Sequence, residues 1–265
     1  MTLHIGWGTD LHLDLVSPAQ IVGLGARFKA QNLNALVLTG DLAEADTLQS
    51  RLEALTSAIG VPTYFVLGNH DFYSGAVAPV RKAAAQFSFA HYLRPMDPVV
   101  LAPGVILVGV DGWGDARYGS TRTSKVVLND FVRIHDVRVG YLRGKLRETL
   151  QNLGKKEGDR LTELLASALS QNPRHVVVAT HVPPFPECAW HDGKGSDADH
   201  SPFFACQATG LALLRAADYH PGVQFTVLCG HSHGGGSVQK AQNLRILTGA
   251  AKYYAPAPQD PLLIP

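Results

Sequence analysis

The chain has 265 residues, of which 46% are hydrophobic and 17% are charged, and its formal net charge is +1. This length suits one layered α/β domain with a buried core, so we expect residues 1–265 to form a single domain. The near-neutral charge argues against nucleic acids and acidic membrane surfaces as default partners.

Short apolar runs that end in polar residues predict nine strands. They cover residues 3–9, 35–39, 63–67, 99–101, 105–110, 175–180, 225–229, 237–240 and 244–248. The early strands alternate with helical segments, which indicates a parallel sheet. The short strands after His233 are typical of hairpins with glycine-rich turns.

Apolar residues at helical spacing predict helices between these strands. One helix covers residues 18–29 with Ser17 as its N-cap, and a second covers residues 43–59. A stripe of leucines and alanine marks a third near residues 161–169. Glu44 would lie in the first turn of the second helix, where the helix dipole stabilises a carboxylate. The proline-rich residues 255–265 are expected to form an extended tail.

Five polar blocks each follow the end of an apolar run. They are Asp10-Leu11-His12, Gly40-Asp41-Leu42-Ala43-Glu44, Gly68-Asn69-His70-Asp71, the single His181, and Gly230-His231-Ser232-His233. Each block alone fits an ordinary turn or helix cap. All five together predict a metal cage, because strand ends hold ligands rigidly while the adjoining loops admit a substrate.

The mixture of imidazole, carboxylate and amide groups suits Zn, Mn or Fe better than Mg or Ca. Asp10, His12 and His233 would complete the shell of one ion, and Asn69, His181 and His231 that of a second. Two cations about 3.5–4 Å apart need a bridging ligand, and a hydroxide between them would attack phosphorus in line.

The five blocks resemble the shared pattern of the calcineurin-like metallophosphoesterases, which reads D-x-H, G-D, G-N-H-D/E, a lone His and G-H-x-H. The resemblance spans residues 10–233. It implies an α/β fold, a four-layer α-β-β-α sandwich in which two mixed sheets pack face to face with helices outside. It also implies a phosphoesterase that uses two metal ions.

The resemblance further assigns roles to Asp41 and His70, and the residue pattern itself suggests one for Asp71. Asp41 would bridge the two ions, and His70 would contact the phosphate or protonate the leaving oxygen. Asp71 could accept a ring N–H from a block histidine and so fix its tautomer.

The blocks also bear on the substrate. The second block lacks the Asp-Arg-Gly of Ser/Thr protein phosphatases. At residues 40–44 it resembles lipid A pathway hydrolases, which differ in carrying arginine after the asparagine of the third block. We therefore expect small phosphodiesters as substrates. The alternatives are a phosphomonoesterase on the same site and a non-catalytic interaction scaffold of the same fold.

Two segments are candidates for substrate selection. Residues 111–126 carry Arg117 and Arg122, which could contact phosphate, although an ordinary surface loop is an equal alternative. For the acidic and histidine-rich part of residues 183–204 we favour a surface loop over a third metal site. The other histidines show no ligand spacing and are expected to be surface or core residues: His4, His91, His135, His175, His191, His200 and His220.

The odd number of cysteines, three, indicates a reducing setting, and we expect a cytoplasmic enzyme. No signal peptide is visible, and no apolar stretch approaches the roughly 20 residues of a membrane-spanning helix. The expected partner is a small phosphate ester, and the sequence leaves the oligomeric state open.

Overall fold

The computed structural model describes residues 2–265, and in this range eleven strands form two mixed sheets. The first sheet contains β1 (Leu3–Gly8), β2 (Ala35–Thr39), β3 (Thr63–Val66), β4 (His91–Tyr92) and β11 (Leu262–Ile264). Its strand order is β11-β1-β2-β3-β4, and only the pairing of β11 with β1 is antiparallel.

The second sheet has the order β5-β6-β7-β8-β10-β9. Its strands are β5 (Val99–Ala102), β6 (Val105–Gly109), β7 (His175–Ala179), β8 (Gln224–Cys229), β9 (Gly236–Ala241) and β10 (Leu244–Thr248). The strands β6, β7, β8 and β10 run parallel, and antiparallel strands close both edges.

The longer helices lie on the outer faces of the two sheets, and two short ones lie at the carboxyl ends of the strands. They are α1 (Pro18–Lys29), α2 (Leu48–Ile59), α3 (Val77–Ala84), α4 (Asp130–Arg133), α5 (His135–Leu142), α6 (Leu146–Leu169), α7 (Ser201–Phe204) and α8 (Gln207–Tyr219). Helices α1 and α2 bury their apolar stripes against the first sheet, and α8 and the C-terminal half of α6 bury theirs against the second.

Alternating side chains along each buried strand assign the layers. In β2, Leu36 and Leu38 join the core under α1 and α2, whereas Val37 enters the core between the sheets. In β7, Val176 faces the helices of the second sheet and Val177 faces the first sheet. Successive residues of a strand point to opposite faces of its sheet. Because the strands of both sheets are apolar on both faces, there are three apolar layers, one between the two sheets and one between each sheet and its helices. The expected four-layer α-β-β-α sandwich is confirmed.

Two predicted elements match the structure closely. Strand β2 has the predicted bounds, and α1 begins after Ser17 as expected. The Ser17 hydroxyl accepts from the backbone N–H of Gln20, and the Gln20 side chain accepts from the N–H of Ser17 at 2.9 Å. This reciprocal capping box satisfies two N–H groups that the first helical turn leaves unpaired.

The second helix was predicted to begin at residue 43, but α2 begins at Leu48. The N–H of Ala43 donates to the Asp71 carboxylate, and a hydrogen-bonded turn at residues 45–47 separates this contact from the helix. Glu44 therefore lies outside the helix, and its carboxylate forms a two-pronged ion pair with Arg133, each N–O distance being 2.6 Å. The helix-dipole interpretation of Glu44 was wrong.

The C-terminal segment, predicted to be an extended tail, ends in a strand. Its last part forms β11, which pairs with β1. The hairpin of β9 and β10 forms as predicted, but its turn is Gln242-Asn243 and contains no glycine. Asn243 fixes the turn because its side-chain amide donates to the carbonyls of Ala217, His220 and Val223.

The carboxyl ends of the parallel strands in both sheets meet at one edge of the sandwich. The five polar blocks follow β1, β2, β3, β7 and β8 at this edge. Within residues 2–265, no helix has the length and apolar character needed to cross a membrane.

Candidate metal centre

One cluster of possible metal ligands combines the loops that follow β1, β2 and β8. Donor atoms of Asp10, His12, Asp41 and His233 all lie within 4.8 Å of one another. The Nε2 atoms of His12 and His233 are 3.3 Å apart, and the His233 Nε2 lies 3.4 Å from Asp10 Oδ1.

A second cluster adjoins the first and shares Asp41 with it. Donor atoms of Asp41, His181 and His231 also lie within 4.8 Å of one another. The amide oxygen of Asn69 lies 3.1 Å from His181 Nε2 and 2.9 Å from His231 Nδ1. The structure therefore brings together all seven predicted ligands in two groups that meet at Asp41.

Backbone carbonyls orient two of the imidazole rings. The Nδ1 atom of His181 lies 2.8 Å from the carbonyl oxygen of Thr39, and the Nε2 atom of His231 lies 3.2 Å from that of Phe203. A ring nitrogen facing a carbonyl oxygen carries a hydrogen and donates it. The opposite nitrogens, His181 Nε2 and His231 Nδ1, converge at 3.2 Å inside the second cluster.

The buried carboxylate of Asp41 attracts positive charge to the point where the two clusters meet. Burial opposes ionisation of Asp41, but the charges of His181 and His70 hold the pKa of its carboxyl well below the usual range. Burial likewise opposes protonation of His181, yet Asp41 raises its pKa to about 10. This proton compensates the buried carboxylate, and a cation can take its place since metal binding releases protons from its ligands. The donor set thus fits a divalent metal.

Five of the ligand residues adopt the left-handed backbone region that non-glycine residues rarely occupy. Their φ angles are 49° at Asp10, 41° at His12, 51° at Asp41, 70° at His231 and 60° at His233. Such conformations cost about 1–3 kcal/mol each and cluster at functional sites. The surrounding structure holds these loops in place.

Two glycines of the blocks are required by close packing. A Cβ at Gly68 would collide with the Asp41 carboxylate, and one at Gly230 would collide with Thr9 and the Asp10 carboxylate. The Gly-Asn and Gly-His pairs therefore bring the backbone against the buried ligands.

Asp71 does not contact a histidine ring as was predicted. Its Oδ1 accepts from the N–H groups of Leu42 and Ala43 at 2.7 and 2.9 Å, and its Oδ2 accepts from Gly68 at 2.7 Å. The buried carboxylate thus ties the loop after β2 to the loop after β3. It fixes Asp41 and Asn69 relative to each other without touching either side chain.

Asp130 and Tyr73 orient Asn69 and were not predicted from the sequence. The Asn69 amide nitrogen donates to Asp130 Oδ1 at 2.9 Å, so the amide oxygen faces His181 and His231. The hydroxyl of Tyr73 donates to the same Oδ1 at 2.7 Å. Asp130 therefore fixes the orientation of the Asn69 amide, with its oxygen towards the second cluster.

Asp111, at the end of β6, links three strand ends behind the clusters. Its Oδ1 accepts from the N–H of Leu67 at 3.0 Å, and its Oδ2 accepts from Arg81 and Tyr92 at 2.8 and 2.7 Å. Its carbonyl oxygen accepts from the N–H of His181 at 2.7 Å. From the sequence, Asp111 was expected only at the start of a loop.

His70 lies beside the first cluster and remains partly exposed. Its Nε2 is 3.9 Å from Asp41 Oδ2, and its ring stacks on Tyr73 with 4.2 Å between ring centroids. His70 is outside both ligand groups and lines the cavity above them. Its imidazole is thus placed to meet a group bound over the clusters.

A cavity of about 710 Å³ opens over both clusters. It is lined by ligands of both clusters, by residues 127–130 before and at α4, by parts of residues 189–200, and by Tyr73, Phe204 and Tyr253. Within residues 2–265, no arginine lines this cavity. Arg117 pairs with Asp115 at 3.0 Å and donates to the carbonyl of Gln151, while Arg122 is exposed. The structure does not bring either arginine to the site.

The histidine-rich part of residues 183–204, unlike Arg117 and Arg122, does reach the site. His191 and His200, expected to be surface or core residues, line the cavity together with Asp192, Lys194 and Asp197. The Nδ1 atom of His200 lies 2.8 Å from Asp197 Oδ1. This loop therefore belongs to the wall of the site, as expected of a candidate for substrate selection, and is not an ordinary surface loop.

Comparison with known proteins finds partial sequence relatives. The UDP-2,3-diacylglucosamine hydrolases of Stenotrophomonas maltophilia strains K279a and R551-3 are each 40% identical to this chain, over 80 and 81 residues. The match covers 25% of this chain and 32% of each relative, so the chain spans about a third of the relatives' length.

Solved structures with the same fold match over nearly the whole chain. A dimetal phosphatase from Danio rerio has a TM-score of 0.59 and 16% identity, covering 94% of this chain and 87% of that one. The phosphopantetheinyl hydrolase from Mycobacterium tuberculosis has a TM-score of 0.60 and 13% identity, covering 95% and 90%. At these identities the likeness shows the fold alone.

The family model for calcineurin-like phosphoesterases matches residues 3–235, which contain all five blocks. The two clusters, their shared aspartate and this match agree with one another. The chain therefore belongs to the calcineurin-like phosphoesterase family.

Proposed function

We propose that the protein is a dinuclear metal-dependent phosphodiesterase that hydrolyses small phosphate esters. The observation that carries this proposal is the meeting of two ligand clusters at one buried carboxylate, Asp41. Two cations held there would neutralise charge on the phosphoryl oxygens and activate water for in-line attack. Mn, Fe or Zn suits the mixed imidazole and carboxylate ligands.

The ligand residues divide by cluster. Asp10, His12 and His233 would hold one ion, Asn69, His181 and His231 would hold the other, and Asp41 would contribute to both. Asp130 keeps the amide oxygen of Asn69 turned towards the second cluster. Asp71 and Asp111 hold the loops that carry these ligands.

His70 acts on the bound ester. Its ring lines the cavity beside Asp41, where it can contact a phosphoryl oxygen or donate a proton to the leaving oxygen. Tyr73 stacks on the ring and fixes its plane.

The charge of the cavity wall supports a diester over a monoester. Beyond the metal ligands, the wall carries the carboxylates of Asp130, Asp192 and Asp197, and its only lysine or arginine within residues 2–265 is Lys194. A monoester carries close to two negative charges at neutral pH, whereas a diester carries one. Because Coulomb repulsion grows with charge, this wall disfavours the monoester. The cavity volume lies within the range of small-molecule sites, with room for two ester substituents.

Two other functions remain as outcomes of the test. A phosphomonoesterase would use the same clusters, with Lys194 as the additional positive charge. A scaffold without catalysis would not require seven converging ligands. The three cysteines are free and buried, which is compatible with the expected cytoplasmic location.

The test compares kcat/KM for bis(para-nitrophenyl) phosphate, para-nitrophenyl phosphate and cyclic nucleotides after reconstitution with Mn, Fe or Zn. Diester hydrolysis should exceed monoester hydrolysis with each active metal. Asp192→Asn should shift the ratio towards the monoester, whereas Asp46→Asn, an exposed residue outside the cavity, should not. Preference for the monoester in the wild type would identify a phosphomonoesterase.

A further inference from the structure

Tyr253 is an aromatic wall of the metal centre that lies outside the region matched by the family model. Its ring centroid is 4.6 Å from that of His12 and 4.7 Å from that of His233. It lies 6.4 Å from the centroid of His70. Tyr253 follows β10, and the family match ends at residue 235, so none of the five blocks predicts it.

The segment that carries Tyr253 is anchored on both sides. The N–H of Ala251 donates to the carbonyl of His233 at 3.0 Å. The Gln259 side chain bonds both backbone groups of Ala250, at 2.7 and 3.1 Å, and its own N–H donates to Trp7 in β1. These bonds hold the tyrosine against the ligand histidines.

Tyr254, the residue after Tyr253, lies outside the cavity. Tyr254 has a left-handed backbone, with φ 65°, which turns the chain between the two tyrosines. Tyr253 lines the cavity and Tyr254 does not. Tyr253 keeps 43% of its surface exposed although it packs on two histidines, whereas Tyr254 is 67% exposed. An open aromatic surface therefore remains at the metal centre.

The other cluster also has an aromatic ring beside it. Phe204 lies against His231 with 4.6 Å between ring centroids, and it lines the same cavity. Each ligand cluster is thus flanked by one aromatic side chain. Aromatic rings attract other planar rings beyond simple area burial, whereas saturated rings gain only the burial.

We propose that Tyr253 determines specificity by stacking on a planar substituent of the bound phosphate ester, so that aromatic or heteroaromatic esters are the preferred substrates. This rests on the proposed function, since it concerns the ester held at the same clusters. Tyr253 contributes to substrate binding and leaves metal ligation to the histidines beneath it.

The test measures the binding of two phosphonate analogues, methyl phenylphosphonate and methyl cyclohexylphosphonate, to the manganese-loaded protein by calorimetry. In both, the ring is attached to phosphorus by a P–C bond that is not hydrolysed. Both carry one negative charge and differ in the planarity of the ring. Tyr253→Ala should weaken the phenyl compound by about 2- to 12-fold and the cyclohexyl compound less. Tyr253→Phe should bind both like the wild type, and Tyr254→Ala is the matched control that should change neither.

Two results would overturn the proposal. One is an equal loss for both analogues in Tyr253→Ala, and the other is loss of bound metal in that variant, which would make Tyr253 a support for His12 and His233. Hydrolysis of bis(para-nitrophenyl) phosphate by the wild type is measured alongside. Its absence would reject the proposed function, whereas the selectivity between the two rings tests Tyr253 separately.

Discussion

The Nε2 atoms of His12 and His233 face each other at 3.3 Å across the seam between the two sheets. His12 follows β1 of the first sheet, and His233 follows β8 of the second. Burial lowers the pKa of His12 to about 4, so this ring is neutral and can offer a lone pair at neutral pH. The metal centre therefore depends on the correct packing of one sheet against the other.

Asp130 should affect the metal affinity of the second cluster and leave that of the first cluster unchanged. Asp130→Ala removes the acceptor that orients the Asn69 amide, and we expect about a 10- to 100-fold loss of affinity for the ion at the second cluster. The Asp10, His12 and His233 cluster should keep its affinity. Titration of the metal-free protein with two resolved binding steps measures this, and Tyr73→Phe should have a smaller effect. An equal loss at both steps would contradict the role.

Asp71 should matter for stability because it pairs buried backbone groups. In Asp71→Asn, the new amide nitrogen would face the N–H of Gly68 or those of Leu42 and Ala43, so a buried donor loses its partner. The free energy of unfolding should fall by about 1–3 kcal/mol in the metal-free protein. Denaturant unfolding measures it, and Asp71→Ala should fall further. Unchanged stability with lost turnover would instead make Asp71 a catalytic residue.

His70→Ala should keep both metals and lose turnover. The side chain lies outside both ligand clusters, and removing a positioned proton donor typically costs about 10²–10⁴ in rate. The deficit should be smaller for para-nitrophenyl esters than for alkyl esters, since an acidic leaving group needs less protonation. Metal analysis and kcat for both ester types measure it. A lost ion would show that His70 is a ligand, and equal deficits would show that it stabilises phosphate charge.

His175, on β7 away from the ligand clusters, should destabilise the fold at acid pH. Burial and the nearby Arg174 lower the pKa of His175 from 6.5 to about 4. The unfolded chain thus takes up a proton near pH 6.5 that the folded chain takes up only near pH 4. Its contribution to stability is complete above pH 6.5 and declines as pH falls towards 4.

Unfolding curves between pH 4 and 7.5 test this effect. His175→Gln should lose less stability than the wild type over that interval, even if it is less stable at pH 7.5. His220→Gln, at an exposed histidine, serves as the control. Parallel pH profiles for the wild type and His175→Gln would refute the prediction.

The strand ends and the ligands could be predicted because both depend on local patterns. A short apolar run such as 35–39, bounded by turn residues, is typical of a strand buried on both faces, and the polar residue that follows it marks the end of the strand. Parallel strands then bring these residues to one edge, as they do for Asp41 and Asn69. The pairing of the two sheets came from the resemblance to the family.

The supporting residues could not be predicted because their partners are distant in sequence. Asp130 lies 61 positions from Asn69, and Asp71 bonds backbone N–H groups that leave no signature in the sequence. Arg117 lies in a polar loop and pairs with Asp115, two residues away, instead of reaching the cavity. The charge of Arg117 alone does not show whether it pairs with a neighbouring carboxylate or reaches the cavity.

The metal content of the reconstituted protein, with and without Asp41→Asn, tests the dinuclear site most directly. Elemental analysis should find two transition-metal ions per chain in the wild type and in the exposed-site control Asp46→Asn. Asp41→Asn should lose affinity for both ions, because its carboxylate is shared by the two clusters. One ion or none in the wild type, or two retained ions in Asp41→Asn, would contradict a centre bridged by Asp41.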